Sequence, residues 1–256
     1  MKIKNALATL PLTLNACGGD SETTSFSANR LGQGIWQGGF SSQPLSITSA
    51  SGSISQTELT KIEKTGVGVF ATNNRAFFYN EVDDILFAND EAGFVGNSIS
   101  YSPVYYIAGT SYSRVNFSAT AYNSASILGE IPSPISDNFA MVFDTGYFRG
   151  ANLQRLAGDW AFSGSNNGSL TIQADGSFTG SSSIVTSCTL SGAFSTIDSG
   201  KNEYAISVTL NPDCAQYAGS YQGLAATVDT SSENDTLIMA IYNANYGFFI
   251  KPLKQP

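Results

Sequence analysis

The sequence predicts an all-β protein built from two antiparallel up-and-down β-barrel domains that follow a signal peptide and a flexible tether. Three observations predict it. Charged residues make up only 12% of the chain, aromatics match them at 12%, and Ser, Thr, Gly and Asn abound. That profile fits short strands joined by tight turns, and not helical bundles, which lean on Ala, Leu, Glu and Lys. Across the second half, apolar residues alternate with polar ones and no stretch shows helical spacing. Finally, Gly34-Ile35-Trp36 and Gly158-Asp159-Trp160 each place a glycine two residues ahead of one of the two tryptophans. The two openings lie about half the mature length apart, the mark of two domains of similar build.

Residues 1–16 read as a signal peptide. Lys2 and Lys4 give a basic start, an apolar run follows from Ala6 to Leu14, and the small Ala16 precedes Cys17. A basic region, an apolar core of roughly 7–15 residues and a small residue at the cut describe a secretory signal. The apolar run falls far short of the ~20 residues that cross a bilayer. Residues 17–31 are polar, small and aperiodic, a tether spanning on the order of 20 Å as a random coil.

Residues 32–146 form the expected N-terminal β-domain, with strands at 67–70, 75–79, 84–88, 104–107, 115–122 and 138–143. Residues 147–156 read as a linker. The C-terminal barrel, 157–256, is the more regular: strands are expected at 159–163, 169–173, 177–181, 188–194, 203–210, 220–229, 236–242 and 246–251. Leu170 and Ile172 point one way while Ser169, Thr171 and Gln173 point the other. Turn signals such as Ala174-Asp175-Gly176 and Asn243-Ala244-Asn245 separate the strands. Eight short strands with hairpin turns favour a closed barrel over a sandwich, which needs longer crossovers.

Composition narrows function. With 42% apolar residues the chain has enough surface to bury, so disorder is excluded. The net charge of −8 becomes −10 once Lys2 and Lys4 leave with the signal. A chain so acidic has no electrostatic footprint for nucleic acid, and anionic lipid headgroups repel it. Membrane attachment then falls to acyl chains. With Cys17 at the cut, Cys188 and Cys214 form an even pair in an oxidising compartment, where a disulfide is expected. Closing that loop contributes roughly 3–4 kcal/mol by chain entropy. A metal pair is the competing reading, but zinc wants four ligands and the chain has no histidine.

The missing histidine also removes every Ser-His-Asp and Cys-His arrangement. No Gly-x-Ser-x-Gly elbow and no phosphate-binding glycine loop with its lysine is present; no cofactor is expected. Glu81, Asp83, Asp84, Asp90 and Glu91 cluster in sequence. They read as a solvated loop in preference to an acid/base pair or a calcium site. The tyrosine-rich run from Tyr101 to Tyr112 admits two readings, an exposed recognition surface or the two faces of one strand.

Ala16-Cys17 resembles the lipobox of bacterial lipoproteins. Leu156-Ala157-Gly158-Asp159-Trp160, the run from Leu170 to Gly180, Cys188-Thr189-Leu190-Ser191-Gly192, Tyr221-Gln222-Gly223-Leu224-Ala225 and Asn234-Asp235-Thr236-Leu237 follow it. In this order they resemble a class of bacterial outer-membrane lipoproteins with tandem Gly-x-Trp calycin-like (lipocalin-like) β-domains. The resemblance implies that Cys17 carries a diacylglyceryl group, that Trp36 and Trp160 close one end of their barrels, and that no activity is attached. Gly18 stands where an Asp commonly holds such proteins in the inner membrane, so the outer membrane is expected. The expected partners are the bilayer, through acylated Cys17, and a protein or small apolar ligand. The leading expectation is a non-enzymatic binding or envelope module; a lipocalin-like carrier comes second and a carboxylate-dependent hydrolase third. A carrier needs an open cavity, whereas Phe178, Phe194, Phe248 and Phe249 are the kind of residues that fill a small barrel.

Overall fold

A computed structural model describes residues 32–46, 54–89, 91–122, 125–162, 167–185 and 188–256. The expected signal peptide and tether, Cys17 and Asp90 lie outside the described residues.

The chain is all-β, and each unit is a curved antiparallel sheet. The first sheet contains β1 (Gly34–Ser41), β2 (Lys64–Phe70), β3 (Ala76–Asn80), β4 (Ile85–Asn89), β5 (Ala92–Val95), β6 (Ser98–Tyr101), β7 (Val104–Ile107), β8 (Thr110–Arg114), β9 (Phe117–Tyr122), β10 (Ser126–Ile131) and β11 (Asp137–Asp144). Their spatial order is β5-β6-β9-β10-β11-β1-β2-β3-β4-β7-β8. Sequence neighbours β6 and β7 therefore lie near opposite ends of the sheet. They are two halves of one long ribbon with β8 and β9: Ser98–Tyr101 pairs with β9, while Val104–Ile107 pairs with β8. The ribbon bends at its middle, where the Val115 amide donates to the Pro103 carbonyl at 3.0 Å and Arg114 Nη1 donates to the Ser102 carbonyl at 2.6 Å. One half of the ribbon extends the β10 flank and the other the β4 flank, so the sheet curls around its own core. That core is aromatic, centred on Trp36, Phe40, Phe70, Phe78, Phe117 and Phe139. Their edge-on contacts, such as Phe78 on Phe117 at 5.4 Å, suit the ring quadrupole.

The second sheet contains β12 (Gly158–Phe162), β13 (Gly168–Ile172), β14 (Ser177–Ser182), β15 (Cys188–Thr196), β16 (Tyr204–Leu210), β17 (Gly219–Val228), β18 (Thr236–Tyr242), β19 (Gly247–Ile250) and β20 (Leu253–Lys254). Strands β12 to β18 pair up and down in sequence order, and β20 bridges β18 back to β12. The result is the expected closed eight-stranded barrel, but its eighth strand is β20: the expected strand at 246–251 is β19, which pairs with β18 outside the ring. Leu170, Ile172, Phe178, Phe194, Ile206 and Met239 are among the side chains that fill its interior.

A third core joins the two units. Strands β17 and β18 are buried on both faces from Gly223 and Thr236 onward. Ala225, Leu237, Met239 and Ile241 point into the barrel. The alternate residues Leu224, Ala226, Ile238 and Ala240 point outward against Val67, Val69, Phe77 and Leu86 of the curled sheet. The Phe249 ring stacks on Tyr79 at 4.1 Å across the same junction. The barrel's β18–β19 turn also hydrogen-bonds to the β7–β8 hairpin through Gly247 to Gly109 and Ser111 to Asn245. Residues 147–156 run through a 3-10 turn at Thr145–Arg149 and a short helix at Leu153–Leu156, with Tyr147 and Leu156 buried.

Candidate functional site

The two tryptophans sit in equivalent local frames. Each is fully buried, and each indole N–H donates to the carbonyl four residues back: Trp36 to Gly32 at 3.0 Å and Trp160 to Leu156 at 2.8 Å. Gly34 and Gly158 ahead of them have φ of +156° and +126°, and Gly158 lies in the region that favours glycine. Phe143 meets the Trp36 ring edge-on, and the Lys254 ammonium lies 5.4 Å from the Trp160 ring centre. Neither indole faces solvent. Cys188 and Cys214 are disulfide-bonded and buried at one end of the barrel, with Cα atoms 4.4 Å apart.

The sequence-adjacent acids do not converge. Glu81 accepts from Thr65 Oγ1 at 2.8 Å and from Lys251 Nζ at 3.2 Å. Asp83 pairs with Lys64 at 2.7 Å, and Asp84 accepts from the Tyr79 phenol at 2.8 Å. Burial and the Asp84 carboxylate push the Tyr79 phenol well above the usual tyrosine range. Glu91 lies exposed at the start of β5. Among the described residues no group of three or more Cys, Asp or Glu side chains is placed to hold a metal ion. The tyrosine run splits between faces. Tyr101 and Tyr105 enter the core of the curled sheet, Tyr106 enters the junction and donates to the Asn243 carbonyl at 2.9 Å, and Tyr112 is exposed and stacks on Tyr105 at 5.3 Å.

Two features had not been singled out from the sequence. The first is a groove of about 800 Å³ on the outer face of the curled sheet, across β6, β9, β10 and β11. Its floor is a row of four register neighbours, one from each strand: Ser100, Ser118, Glu130 and Asn138. Residues directly opposite one another in a ladder share a face, so the four polar groups line up across the strands. Thr120, Tyr122 and Leu128 flank them. None of the four makes a side-chain hydrogen bond or ion pair within the described residues, and Glu130 is the one charged residue of the lining. A solvent-exposed carboxylate between hydroxyls and an amide offers acceptors to a donor-rich ligand and repels an anionic one.

The second feature is Glu203, fully buried at the junction of the two units. It accepts from the Thr72 amide at 3.0 Å, from the Thr72 hydroxyl, and from the Tyr147 phenol at 2.9 Å. Burial pushes its carboxyl above the usual carboxylate range, against the lowering influence of these hydrogen bonds. Beside it, Asn202 donates to the carbonyls of Gly146 and Thr227 and accepts from the Thr227 amide and hydroxyl. These side chains fasten the 3-10 turn of residues 145–149 and the β2–β3 turn to the barrel.

No family model and no curated protein matches the chain. Among solved structures, it is similar to a protein of unknown function from the DUF3598 family of Nostoc punctiforme PCC 73102, at 11% identity, with 89% of this chain and 98% of that one covered and a TM-score of 0.27. It is also similar to a chain from Bacteroides fragilis NCTC 9343 whose description proposes an outer membrane protein. There the identity is 8%, the cover 90% and 100%, and the TM-score 0.28. Superposition at that level bears on neither mechanism nor location.

Proposed function

We propose that this chain is a lipid-anchored outer-membrane lipoprotein, acylated on Cys17, that works as a non-enzymatic binding module through the groove on its curled sheet. The observation that carries the binding role is the row Ser100, Ser118, Glu130 and Asn138: aligned polar groups without side-chain partners among the described residues, in the lining of a groove. Buried polar side chains such as Asn202 and Asp137, by contrast, are consumed by internal bonds. The partner that this groove suits is rich in hydrogen-bond donors and free of net negative charge. The anchor rests on the basic start, short apolar run and Ala16-Cys17 junction of the N-terminus.

The carrier reading has less support, because the side chains of the barrel core occupy its interior. The hydrolase reading has less still: Glu81 and Asp84 each bond to separate partners instead of facing one another across a cleft.

A photo-crosslinking residue at Ser118, in intact cells, tests the binding role. A discrete adduct that Glu130→Lys abolishes supports it. An adduct pattern equal to that from the same residue at Ser195, exposed on the barrel, refutes it. The anchor is tested separately: globomycin causes unprocessed precursor to accumulate, and Cys17→Ala releases the protein from the membrane fraction. A Cys17→Ala protein that stays membrane-bound overturns the anchor.

A further inference from the structure

A carboxylate without exposed surface is ordinarily neutralised by a cation. Glu203 has none: it forms no ion pair among the described residues, and its partners are neutral hydroxyls and one amide. The cations on the elements packed against it are held by other groups. From the β2–β3 turn, Arg75 Nη2 donates to the Tyr242 phenol at 3.0 Å. From the turn at residues 145–149, Tyr147 donates to Glu203 itself, and Arg149 is held by Asp229. From its own loop, Asp198 accepts from the Gly200 amide and adds a repelling charge. The Lys201 ammonium lies over the rings of Tyr147 and Phe148, at 5.5 and 4.4 Å from their centres.

The partners suit two protonation states. A hydroxyl donates to a carboxylate and equally accepts from a carboxylic acid. When Oε1 takes a proton from solvent, the new O–H donates to the Thr72 hydroxyl, which turns its own hydrogen away. The Thr72 amide and the Tyr147 phenol continue to donate to Oε2. No partner is lost on protonation, while the charge that burial penalises is removed. The partners come from the curled sheet and the segment that follows it, and Glu203 from the barrel, so the proton is bound at the junction itself.

We propose that Glu203 is a proton-binding latch, holding the barrel against the curled sheet more tightly when its carboxyl is protonated in mild acid than when it is ionised. The sign follows from linkage. A carboxyl that titrates higher in the folded protein than in the unfolded chain contributes stability that is complete below the unfolded value and is lost as pH rises through the folded one.

The Thr72 backbone amide is the reporter, since it donates directly to the carboxyl. In ¹⁵N-labelled full-length protein titrated from acid to neutral pH, its resonance moves with a midpoint above the ordinary glutamate value of about 4.3. The movement persists in Asp198→Asn. Over the same range the unfolding constant of the wild type rises roughly threefold or more relative to Glu203→Gln. A Thr72 resonance that stays fixed, or one that titrates at or below the ordinary value, overturns the proposal. So do parallel pH profiles for the two proteins. If Glu203→Gln does not fold, the wild-type Thr72 titration decides alone.

Discussion

Removing the Phe77 ring tests whether the curled sheet and the barrel are one cooperative body. Phe77 is fully buried in the core that the two units share, and its ring lies 6.0 Å from that of Phe249 on the barrel. Truncating a buried phenylalanine to alanine costs about 3–5 kcal/mol through lost transfer energy and the cavity left behind. For a chain of this size that corresponds to a drop in Tm of roughly 6–20 °C, or about 1.5 M in urea midpoint for a slope of roughly 2–3 kcal/mol/M. The tryptophans are ready-made probes, because Trp36 sits in the core of the curled sheet and Trp160 in that of the barrel. In Trp160→Phe and Trp36→Phe backgrounds, fluorescence follows each unit alone. Phe77→Ala moves both transitions together and by the same amount, since Val67, Phe77, Leu224 and Ile238 form one apolar layer. A variant in which the Trp36 transition falls while the Trp160 transition holds its midpoint refutes the shared-core argument.

Further outcomes follow from other contacts. The Cys188–Cys214 bond closes a 26-residue separation, so the double alanine variant loses about 3.5 kcal/mol by chain entropy, measured by urea unfolding of oxidised and variant protein. Lys64→Met leaves the buried Asp137 carboxylate without its cation, 3.0 Å away; the loss is about 3 kcal/mol, and Asp137→Asn in the same background recovers part of it. The Arg149 guanidinium beside Asp229 holds that carboxyl below the usual aspartate range. Its contribution is therefore present above about pH 4 and is lost as pH falls through the depressed value. Arg149→Met flattens that part of the acid-unfolding profile, whereas an unchanged acid limb rules the pair out as a contributor.

The barrel was legible because its strands alternate cleanly. Leu170 and Ile172 against Ser169 and Thr171 set one face of β13, and the turns around Gly176 and Asn245 mark its hairpins. The curled sheet was legible where strands are strongly apolar, as in β3 and β4, or alternate, as in β9. Strands β5, β6, β8 and β10 were missed because Ala-Gly-Phe-Val, Ser-Ile-Ser-Tyr, Thr-Ser-Tyr-Ser-Arg and Ser-Ile-Leu-Gly-Glu-Ile are short and interrupted by Gly or Ser, so they give little periodic signal. The alternatives for Tyr101 to Tyr112 could be separated only by tertiary placement, since local sequence does not say which face meets a second unit. Glu203 left no trace at all. Its burial depends on Thr72, which is 131 positions away along the chain, and an acid at the head of a strand ordinarily reads as solvated. The groove was equally hidden, because its four polar residues come from four strands and become neighbours only through register.

The bent ribbon of β6–β7 and β8–β9 has a kinetic consequence. Because one hairpin is stitched to both flanks of the sheet, neither flank can zip up fully before the other is in place. The ribbon works as a hoop around a cask: loose staves are useless until it closes, and then all tighten at once. Such closure delays assembly, because distant segments must meet before any contact rewards them. It also ties the two flanks to one another through the bend, where the Val115 amide meets the Pro103 carbonyl.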